Sequence, residues 1–475
     1  MTTTLTPDIC VIGAGSGGLS VAAAAAAFGV DVVLIEKHKM GGDCLNYGCV
    51  PSKAILAAGK HAQAVRDAAN FGVFADEPKV DFRKVNRHIK SVIAAIGPND
   101  SVERFTALGV KVIEAAGKFT DKDTVVAGNY TIKARRFVIA TGSAPFVPPI
   151  PGLDTVDYFT NESLFENTRK PAHLLVIGGG PIGMEMAQAH LRLGSKVTVI
   201  EGAKALGKDD PELAAIVLEK LRGEGLDILE GAMVSSIEKR GKSGVTVRYK
   251  LGEEKRSVDG SDLLVATGRA VNVEGLGLTE AGITYDRKGI KVKPDLRTTN
   301  RRVYAIGDVA GGLQFTHVAG YHAGLVIRGI LFRKKAVPDN TIIPWVTFTD
   351  PEMAHVGLTE EQAREKHKQI QILRWPYHEN DRAQAERKTT GMIKMVTTKK
   401  GKILGVSIAG ANAGEMINMW ALAVSKSMTV KDVAGYIPPY PTMSEIGKRA
   451  AVTHFIPYTN KPWIRSLIGF LRKFG

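Results

Sequence analysis

The chain contains the same strand, glycine loop and helix twice, and this duplication constrains its fold more than any other feature. A short apolar run at 8–12 leads into a glycine loop and an alanine-rich run that favours a helix. A second apolar run at 174–177 leads into a similar loop and helix. The loop glycines are Gly13, Gly15 and Gly18 in the first copy and Gly178, Gly180 and Gly183 in the second. Together the copies predict an α/β protein with two Rossmann-like nucleotide-binding domains.

Each copy also ends a second strand on an acidic residue. Glu36 and Glu201 each follow the first glycine of their loop by 23 residues. In such units the loop and the helix N-terminus bind a pyrophosphate, and the acid accepts hydrogen bonds from a ribose 2′-hydroxyl. A carboxylate repels a 2′-phosphate, which favours NADH over NADPH. Lys204 and Lys208 lie nearby and are interpreted as solvated surface charge.

The composition excludes several classes of protein. With 475 residues the chain is long enough for two or more domains, and its three cysteines are too few for a secreted disulfide framework. We expect a cytoplasmic protein, with membrane association as an open alternative. Lys and Arg exceed Asp and Glu by 15, yet no aromatic stacking motif accompanies this charge, so no nucleic-acid partner is expected.

The sharpest motif contains two cysteines, Cys44 and Cys49. Five residues of regular helix advance about 7.5 Å, whereas the Cα atoms of a disulfide are about 4.4–6.8 Å apart. A bridge therefore requires an irregular turn, which Asn46 and Gly48 suit. A bridge in unusual geometry is typical of labile, catalytic disulfides. The alternatives are a zinc half-site or two unrelated thiols; no second Cys/His cluster has ligand spacing, and no metal site is expected.

With this motif the sequence resembles the pyridine nucleotide-disulphide oxidoreductase family over nearly its whole length. Supporting motifs include 140–142 with Thr141 and Gly142, 266–269 with Gly268, and 304–308 with Asp308. Later stretches at 349–357 and 412–415 are similar to the interface domain of the family. The resemblance implies FAD and a nicotinamide dinucleotide as cofactors and a homodimer built by a C-terminal α+β domain.

The resemblance also implies a division of the chain, supported by a proline-rich crossing at 145–151. The expected parts are a discontinuous FAD domain at 1–150 and 270–340, an NAD(P) domain at 151–269, an interface domain at 341–455 and a basic tail at 456–475.

In this family a hydride passes from nicotinamide to flavin, and electrons then pass to the disulfide. By resemblance, Cys49 is the thiolate next to the flavin and Cys44 is the interchange thiol that meets the substrate. Lys53 and Glu185 match a pair near the reactive face of the flavin, and Asp308 matches a ligand of its ribityl chain. Cys10, in the first strand, is interpreted as a packing residue.

The chain departs from the family pattern near its C-terminus. Tyr440 stands where disulfide-reducing members have a histidine, while the glutamate that orients that histidine is kept as Glu445. An unperturbed tyrosine titrates near pH ~10 and is a poor base at neutral pH. Tyrosine here is similar to mercuric reductases, but no cysteine follows Cys49 to form their second pair. We rank a thiol or disulfide acceptor first and a metal ion or quinone second.

The last residues form a basic amphipathic pattern. One predicted helix face carries Trp463, Leu467, Phe470, Leu471 and Phe474, flanked by lysines and arginines. Such a helix either lies in a membrane interface or packs on the enzyme or its dimer partner, and the sequence leaves both open. A membrane-bound tail would make a quinone or a membrane partner a plausible acceptor. A rival class is a membrane-associated redox sensor in which the cysteine pair signals without turnover.

Overall fold

The computed structural model describes residues 3–242 and 244–474. In chain order its strands are β1 (Thr3–Leu5), β2 (Ile9–Ile12), β3 (Val32–Glu36), β4 (Lys111–Glu114), β5 (Gly117–Phe119), β6 (Val125–Ala127), β7 (Tyr130–Ile132), β8 (Arg136–Ile139), β9 (Ser143–Pro145), β10 (His173–Ile177), β11 (Lys196–Glu201), β12 (Asp227–Glu230), β13 (Ala232–Arg240), β14 (Gly244–Leu251), β15 (Glu254–Gly260), β16 (Asp262–Val265), β17 (Arg269–Val271), β18 (Tyr285–Asp286), β19 (Gly289–Ile290), β20 (Val303–Ala305), β21 (Trp345–Thr347), β22 (Glu352–Gly357), β23 (Ile370–Pro376), β24 (Met392–Thr398) and β25 (Ile403–Gly410).

The α-helices of the same residues are α1 (Ser16–Ala27), α2 (Gly42–Asn46), α3 (Cys49–Asp67), α4 (Phe82–Ile96), α5 (Val102–Ala107), α6 (Asn161–Leu164), α7 (Pro181–Arg192), α8 (Pro211–Gly223), α9 (Thr316–Phe332), α10 (Glu360–Lys366), α11 (Asp381–Ala385), α12 (Ala413–Ser425), α13 (Val430–Gly435), α14 (Glu445–Thr453), α15 (Ile456–Thr459) and α16 (Pro462–Leu471). None of them combines the length and the apolar character that crossing a bilayer requires.

The chain divides into two compact units. The first covers the chain to Gly202 and then Leu229–Pro338, and the second covers Ala203–Ile228 and the chain from Asp339 onward. The first unit therefore contains both glycine loops and the cysteine pair. Its further division into an FAD part and an NAD(P) part stays a prediction.

Both predicted nucleotide-binding sheets are present in the first unit. One is five-stranded, in the order β20-β8-β2-β3-β4, with parallel pairing throughout. In the other, β10 pairs in parallel with β11 and with β16. Every residue of β2 is buried, as expected for a strand covered on both faces. The predicted α/β class with parallel sheets is confirmed.

The first glycine of each loop is required by its backbone. Gly13 has φ +103°, and a Cβ atom there would lie 2.5 Å from the carbonyl oxygen of Ala140. Gly178 has φ +109°, and its Cβ would lie 2.4 Å from the carbonyl oxygen of Ala266. Each loop therefore turns directly against the end of a following strand, where a side chain has no room.

The second unit is built on an antiparallel sheet in the order β21-β22-β25-β24-β23. Helices α12 and α14 pack on it, and the buried Trp420 of α12 lies in the core between them. This arrangement confirms the predicted α+β character of the C-terminal domain.

One buried lysine holds three carboxylates in this unit. The ammonium of Lys394, on β24, lies 2.8 Å from Asp210, 3.0 Å from Glu212 and 2.9 Å from Glu360. Arg374 pairs with Glu212 as well, at 2.8 Å. The side chains of Lys394 and Asp210 are each only 5% exposed, so this cluster replaces the water that these charges would otherwise bind.

Candidate active site

The two cysteines lie on either side of a break between two helices. Cys44 is inside α2, which ends at Asn46, and Cys49 is the first residue of α3. The side chain of Asn46 donates hydrogen bonds to the carbonyl oxygens of Met40 and Gly42, which stabilise the end of α2. The irregular turn predicted between the cysteines is therefore present. Both cysteines are free thiols in this structure.

A close backbone contact positions the cysteine segment against the first glycine loop. Gly42 has φ +59°, and a Cβ there would lie 2.7 Å from the Cα atom of Gly15. Gly42 must therefore be a glycine for the two segments to meet. Since Gly15 precedes α1, Cys44 is held close to the helix N-terminus at which the loop would bind a pyrophosphate.

Cys49 is the thiol of the pair that ionises first. Its pKa is lowered from 9.0 to about 6, chiefly by a hydrogen bond from Cys44, with further contributions from Thr316 and the positive charge of Lys53. Burial opposes this shift. The pKa of Cys44 is raised, mainly because its proton makes that hydrogen bond. At neutral pH the reduced pair therefore holds one thiolate, on Cys49, and one thiol, on Cys44.

Two helix N-termini meet at the Cys49 sulfur. Cys49 begins α3 and Thr316 begins α9, and the Thr316 hydroxyl lies 3.4 Å from Cys49 Sγ. A helix N-terminus carries partial positive charge and favours a thiolate. The sequence analysis did not identify Thr316, because the two positions are 267 apart in the sequence and no motif links them.

Lys53 and Glu185 form the pair that the resemblance predicts. The Lys53 ammonium lies 2.9 Å from Glu185 Oε2, and the Glu185 side chain is only 5% exposed. Lys53 lies on α3, one turn after Cys49, and Glu185 lies on α7, which begins directly after the second glycine loop. The pair therefore joins the cysteine helix to the helix of the second loop.

Asp308 belongs to a polar cluster that extends to the cysteine segment. Ser143 Oγ donates a hydrogen bond to Asp308 Oδ2 at 2.5 Å. Arg269 donates to Ser143 Oγ at 2.7 Å and lies 3.1 Å from the carboxylate of Asp43, the neighbour of Cys44. Burial raises the pKa of Asp308. The sequence analysis included Arg269 only in the motif at 266–269. It did not predict that Arg269 links Asp308, through Ser143, to Asp43.

The glutamates after each loop turn back onto the loops. Glu36 Oε2 accepts a hydrogen bond from the Ala14 amide at 2.7 Å. Glu201 Oε2 accepts one from the Gly179 amide, also at 2.7 Å. Lys204 and Lys208 are exposed, as expected of surface charge. The two carboxylates thus occupy matching positions beside their loops.

The loops fit the dinucleotides that the family binds. The N-terminal residues of α1 and α7 follow Gly15 and Gly180, and neither cap residue has a side chain to accept from the free amides. A Cβ atom added at Gly142, Gly180 or Gly268 would have no atom of the described residues within 4 Å. Open space at uncapped amides suits a pyrophosphate. Next to Gly142, Thr141 is fixed by hydrogen bonds with Asn272 at 2.8 and 2.9 Å.

Tyr440 and Glu445 lie in the second unit and contact different partners. The Tyr440 hydroxyl donates to Asp381 at 2.7 Å, and this bond raises the pKa of Tyr440. Glu445 accepts instead from Arg449, at 3.0 Å. Tyr440 therefore retains its proton at neutral pH, and its neighbour in this structure is Asp381.

Two family models match successive parts of the chain. Residues 7–323 match pyridine nucleotide-disulphide oxidoreductases, and residues 343–451 match the dimerisation domain of the same family. The chain is a pyridine nucleotide-disulphide oxidoreductase. As a member of this family the enzyme is FAD-dependent, uses NAD(P)H and carries the dimerisation domain of a homodimer.

Individual relatives of this oxidoreductase have different named activities. It is 36% identical to a mercuric reductase of Bacillus cereus, over 94% of this chain and 71% of that protein. It is 35% identical to a dihydrolipoyl dehydrogenase of Geobacillus stearothermophilus, over 94% of this chain and 95% of that protein. Among solved structures, the HOCl-induced flavoprotein disulfide reductase RclA of Escherichia coli matches with TM-score 0.84 and 29% identity, over 94% of this chain and 99% of that one. A Cu(II) complex of RclA matches with TM-score 0.84 and 28% identity, over 93% and 98%.

Proposed function

We propose that this oxidoreductase takes electrons from NADH and delivers them, through the Cys44–Cys49 pair, to a small acceptor of the thiol or disulfide type that meets Cys44. When bound, FAD supplies the hydride acceptor between nicotinamide and disulfide. The observation that carries the proposal is the position of the Cys49 sulfur at the start of α3, 3.4 Å from the Thr316 hydroxyl. Together with the hydrogen bond from Cys44, this position lowers the pKa of Cys49 to about 6, while the pKa of Cys44 is raised.

The unequal pKa values match the electron and proton balance of the reaction. One hydride equivalent breaks the S–S bond, adds two electrons and one proton, and leaves one thiol and one thiolate. The proton belongs on Cys44 and the charge on Cys49. In the second half of the reaction the Cys44 sulfur attacks the acceptor disulfide and its proton passes to the acceptor sulfur that leaves, which releases one acceptor thiol. Cys49 then attacks the Cys44 sulfur of the mixed disulfide, re-forms the internal disulfide and releases the second acceptor sulfur as a thiolate, which takes its proton from outside the pair.

Tyr440 is the group that we propose to protonate the departing thiolate. It keeps its proton because it donates to Asp381, so it can serve as an acid but is a poor base. A positioned acid typically contributes about 10²–10⁴-fold. The matched test compares wild type with Tyr440→His and Tyr440→Phe in steady-state oxidation of NADH by lipoamide.

We expect wild type to turn over and Tyr440→Phe to be slower, while Cys49→Ser is inactive with every acceptor. A wild type that is inert with lipoamide while Tyr440→His is active would contradict the thiol or disulfide acceptor. Flavin reduction by NADH should be the same in wild type and in both Tyr440 variants, which separates the acceptor step from the earlier one.

A metal ion is the second candidate acceptor. A thiolate beside a second sulfur is a soft ligand pair of the kind that binds Cu(I). Relatives named as mercuric reductases and the Cu(II) complex of RclA support this alternative. Reduction of two Cu(II) ions would take one electron each, re-form the disulfide and release the Cys44 proton. Copper-dependent NADH oxidation in an enzyme inert with lipoamide would favour it.

Nucleotide choice and location are further parts of the proposal. The carboxylate of Glu201 beside the second loop supports NADH over NADPH, and comparison of kcat/KM for the two nucleotides in wild type and Glu201→Ala tests this. We propose a cytoplasmic enzyme that makes peripheral membrane contact through its C-terminal tail.

A further inference from the structure

The C-terminal helix presents an apolar face that the rest of its own unit does not cover. Helix α16 and the turn after it contain no buried residue among those described. Their exposed large apolar side chains are Trp463, Leu467, Ile468, Phe470, Leu471 and Phe474. Trp463 is 62% exposed and Phe474 is 73% exposed. A group of exposed apolar side chains on one helix face is typical of a surface that binds a partner or a membrane.

The charge around this face has one sign. Lys461, Arg465, Arg472 and Lys473 flank the apolar residues, and no acidic residue follows Glu445 in the chain. The Arg465 guanidinium donates to the Thr459 carbonyl and the Asn460 side chain, both of which are neutral. Positive charge without local acids complements an anionic surface.

The dimerisation domain that the family shares does not include this segment. The family model for that domain ends at residue 451, before α15 and α16 begin. The hydrophobic core cluster of the second unit also ends there, at Ala451. The dimerisation domain common to the family therefore gives no reason to expect that a second copy of the chain covers the apolar face of α16.

We propose that residues 461–474 of the basic tail dock the enzyme on an anionic lipid surface. Helix α16 lies in the plane of the interface, its apolar residues enter the boundary between headgroups and acyl chains, and its lysines and arginines contact lipid phosphates. Tryptophan and phenylalanine beside basic residues are typical of interfacial helices, which insert to a depth of about 5–10 Å.

The charges and the apolar side chains make separable contributions. Each lysine or arginine near an anionic membrane strengthens binding about fivefold, which corresponds to about 1 kcal/mol. Removal of three basic residues therefore weakens binding about 100-fold at low salt. Raised salt screens these charges and weakens binding of the wild type. Loss of the apolar residues abolishes insertion at any salt concentration.

The test is sedimentation of the full-length, FAD-loaded enzyme with vesicles of phosphatidylcholine alone or mixed with phosphatidylglycerol. Wild type is compared with a triple variant, Lys461→Gln, Arg472→Gln and Lys473→Gln, and with an apolar variant, Leu467→Ser and Phe470→Ser. A matched control removes three exposed lysines elsewhere, through Lys239→Gln, Lys242→Gln and Lys250→Gln.

We expect wild type and the matched control to sediment with phosphatidylglycerol vesicles, and both tail variants to stay in solution with unchanged dimer mass and unchanged NADH oxidation. The proposal is overturned if wild type ignores anionic vesicles at low salt, or if the control loses as much binding as the tail triple variant. It is also overturned if the apolar variant dissociates the dimer, since the occupant is then a second copy of the chain.

Discussion

The ammonium of Lys53 and the carboxylate of Glu185 lie 2.9 Å apart, and this pair joins the helix that begins with Cys49 to the helix that follows the second glycine loop. The positive charge of Lys53 also lowers the pKa of Cys49. A change in the pair is therefore expected to affect both the arrival of electrons and the state of the thiol that receives them.

We predict that Glu185→Gln slows flavin reduction by NADH about tenfold, which corresponds to ~1.4 kcal/mol in activation free energy. The reason is that Lys53 loses the buried charge that holds its ammonium in place. Stopped-flow measurement of flavin absorbance gives the rate directly. The matched control is Glu166→Gln, which breaks an exposed pair with Lys90 and should leave the rate unchanged. Equal slowing in the two variants would show that the effect is not local.

The pKa of Cys49 should depend on the hydrogen bond from Cys44. In wild type, reduced Cys49 loses its proton near pH 6, so alkylation by iodoacetamide should be fast above that pH and slow below it. Cys44→Ala removes the donor, and the alkylation midpoint should move up toward 9.0. Cys44→Ser retains a hydroxyl donor and should move the midpoint less. An alanine variant that still titrates near 6 would assign the shift to other groups.

The two first glycines should fail in different ways when replaced. Gly13→Ala places a Cβ 2.5 Å from a backbone oxygen in the first loop, so the protein should be purified without FAD. Gly178→Ala makes the same kind of clash in the second loop, so FAD should stay bound while reduction by NADH is lost. Flavin content and stopped-flow reduction measure the two effects. Gly97→Ala, where no described atom lies within 4 Å of the new Cβ, is the control and should retain both properties.

Lys394→Met should destabilise the second unit. The substitution leaves three carboxylates around a buried site without their shared cation, and removal of one partner of a buried pair costs about 3–5 kcal/mol. For a unit of this size the melting midpoint should fall by about 6 °C or more. Lys399→Met, on the exposed end of the same hairpin, is the control. If the two variants melt together, the cluster contributes little to stability.

The parts of the site that could be predicted are those that neighbours in the sequence determine. A glycine loop places its own amides, and the apolar runs predicted at 8–12 and 174–177 correspond to β2 and β10 within one residue at their ends. The turn between Cys44 and Cys49 follows likewise from bond geometry and spacing. These features depend on local backbone conformation, which the residues in the loop and the turn themselves decide.

The contacts that could not be predicted join residues far apart in the chain. Thr316 reaches Cys49, Arg269 reaches Asp43, and Asp381 reaches Tyr440 over 59 residues. Each is a single polar side chain on a helix or strand, and such residues are most often solvated surface groups. Only the packing of the folded unit shows which of these polar residues make a long-range contact and which are solvated. For this reason Asp381 was not predicted as the hydrogen-bond partner of Tyr440.

The backbone contacts of Gly13 and Gly178 also set limits for redesign of this enzyme. Each loop touches the end of a following strand through a carbonyl oxygen, at Ala140 and at Ala266, so neither loop tolerates a side chain at that position. Cofactor engineering must therefore keep Gly13 and Gly178 and alter the groups around them, beginning with Glu36 and Glu201. Because the two turns are nearly superimposable in φ and in the contact they make, a chimera that exchanges one loop for the other should still fold.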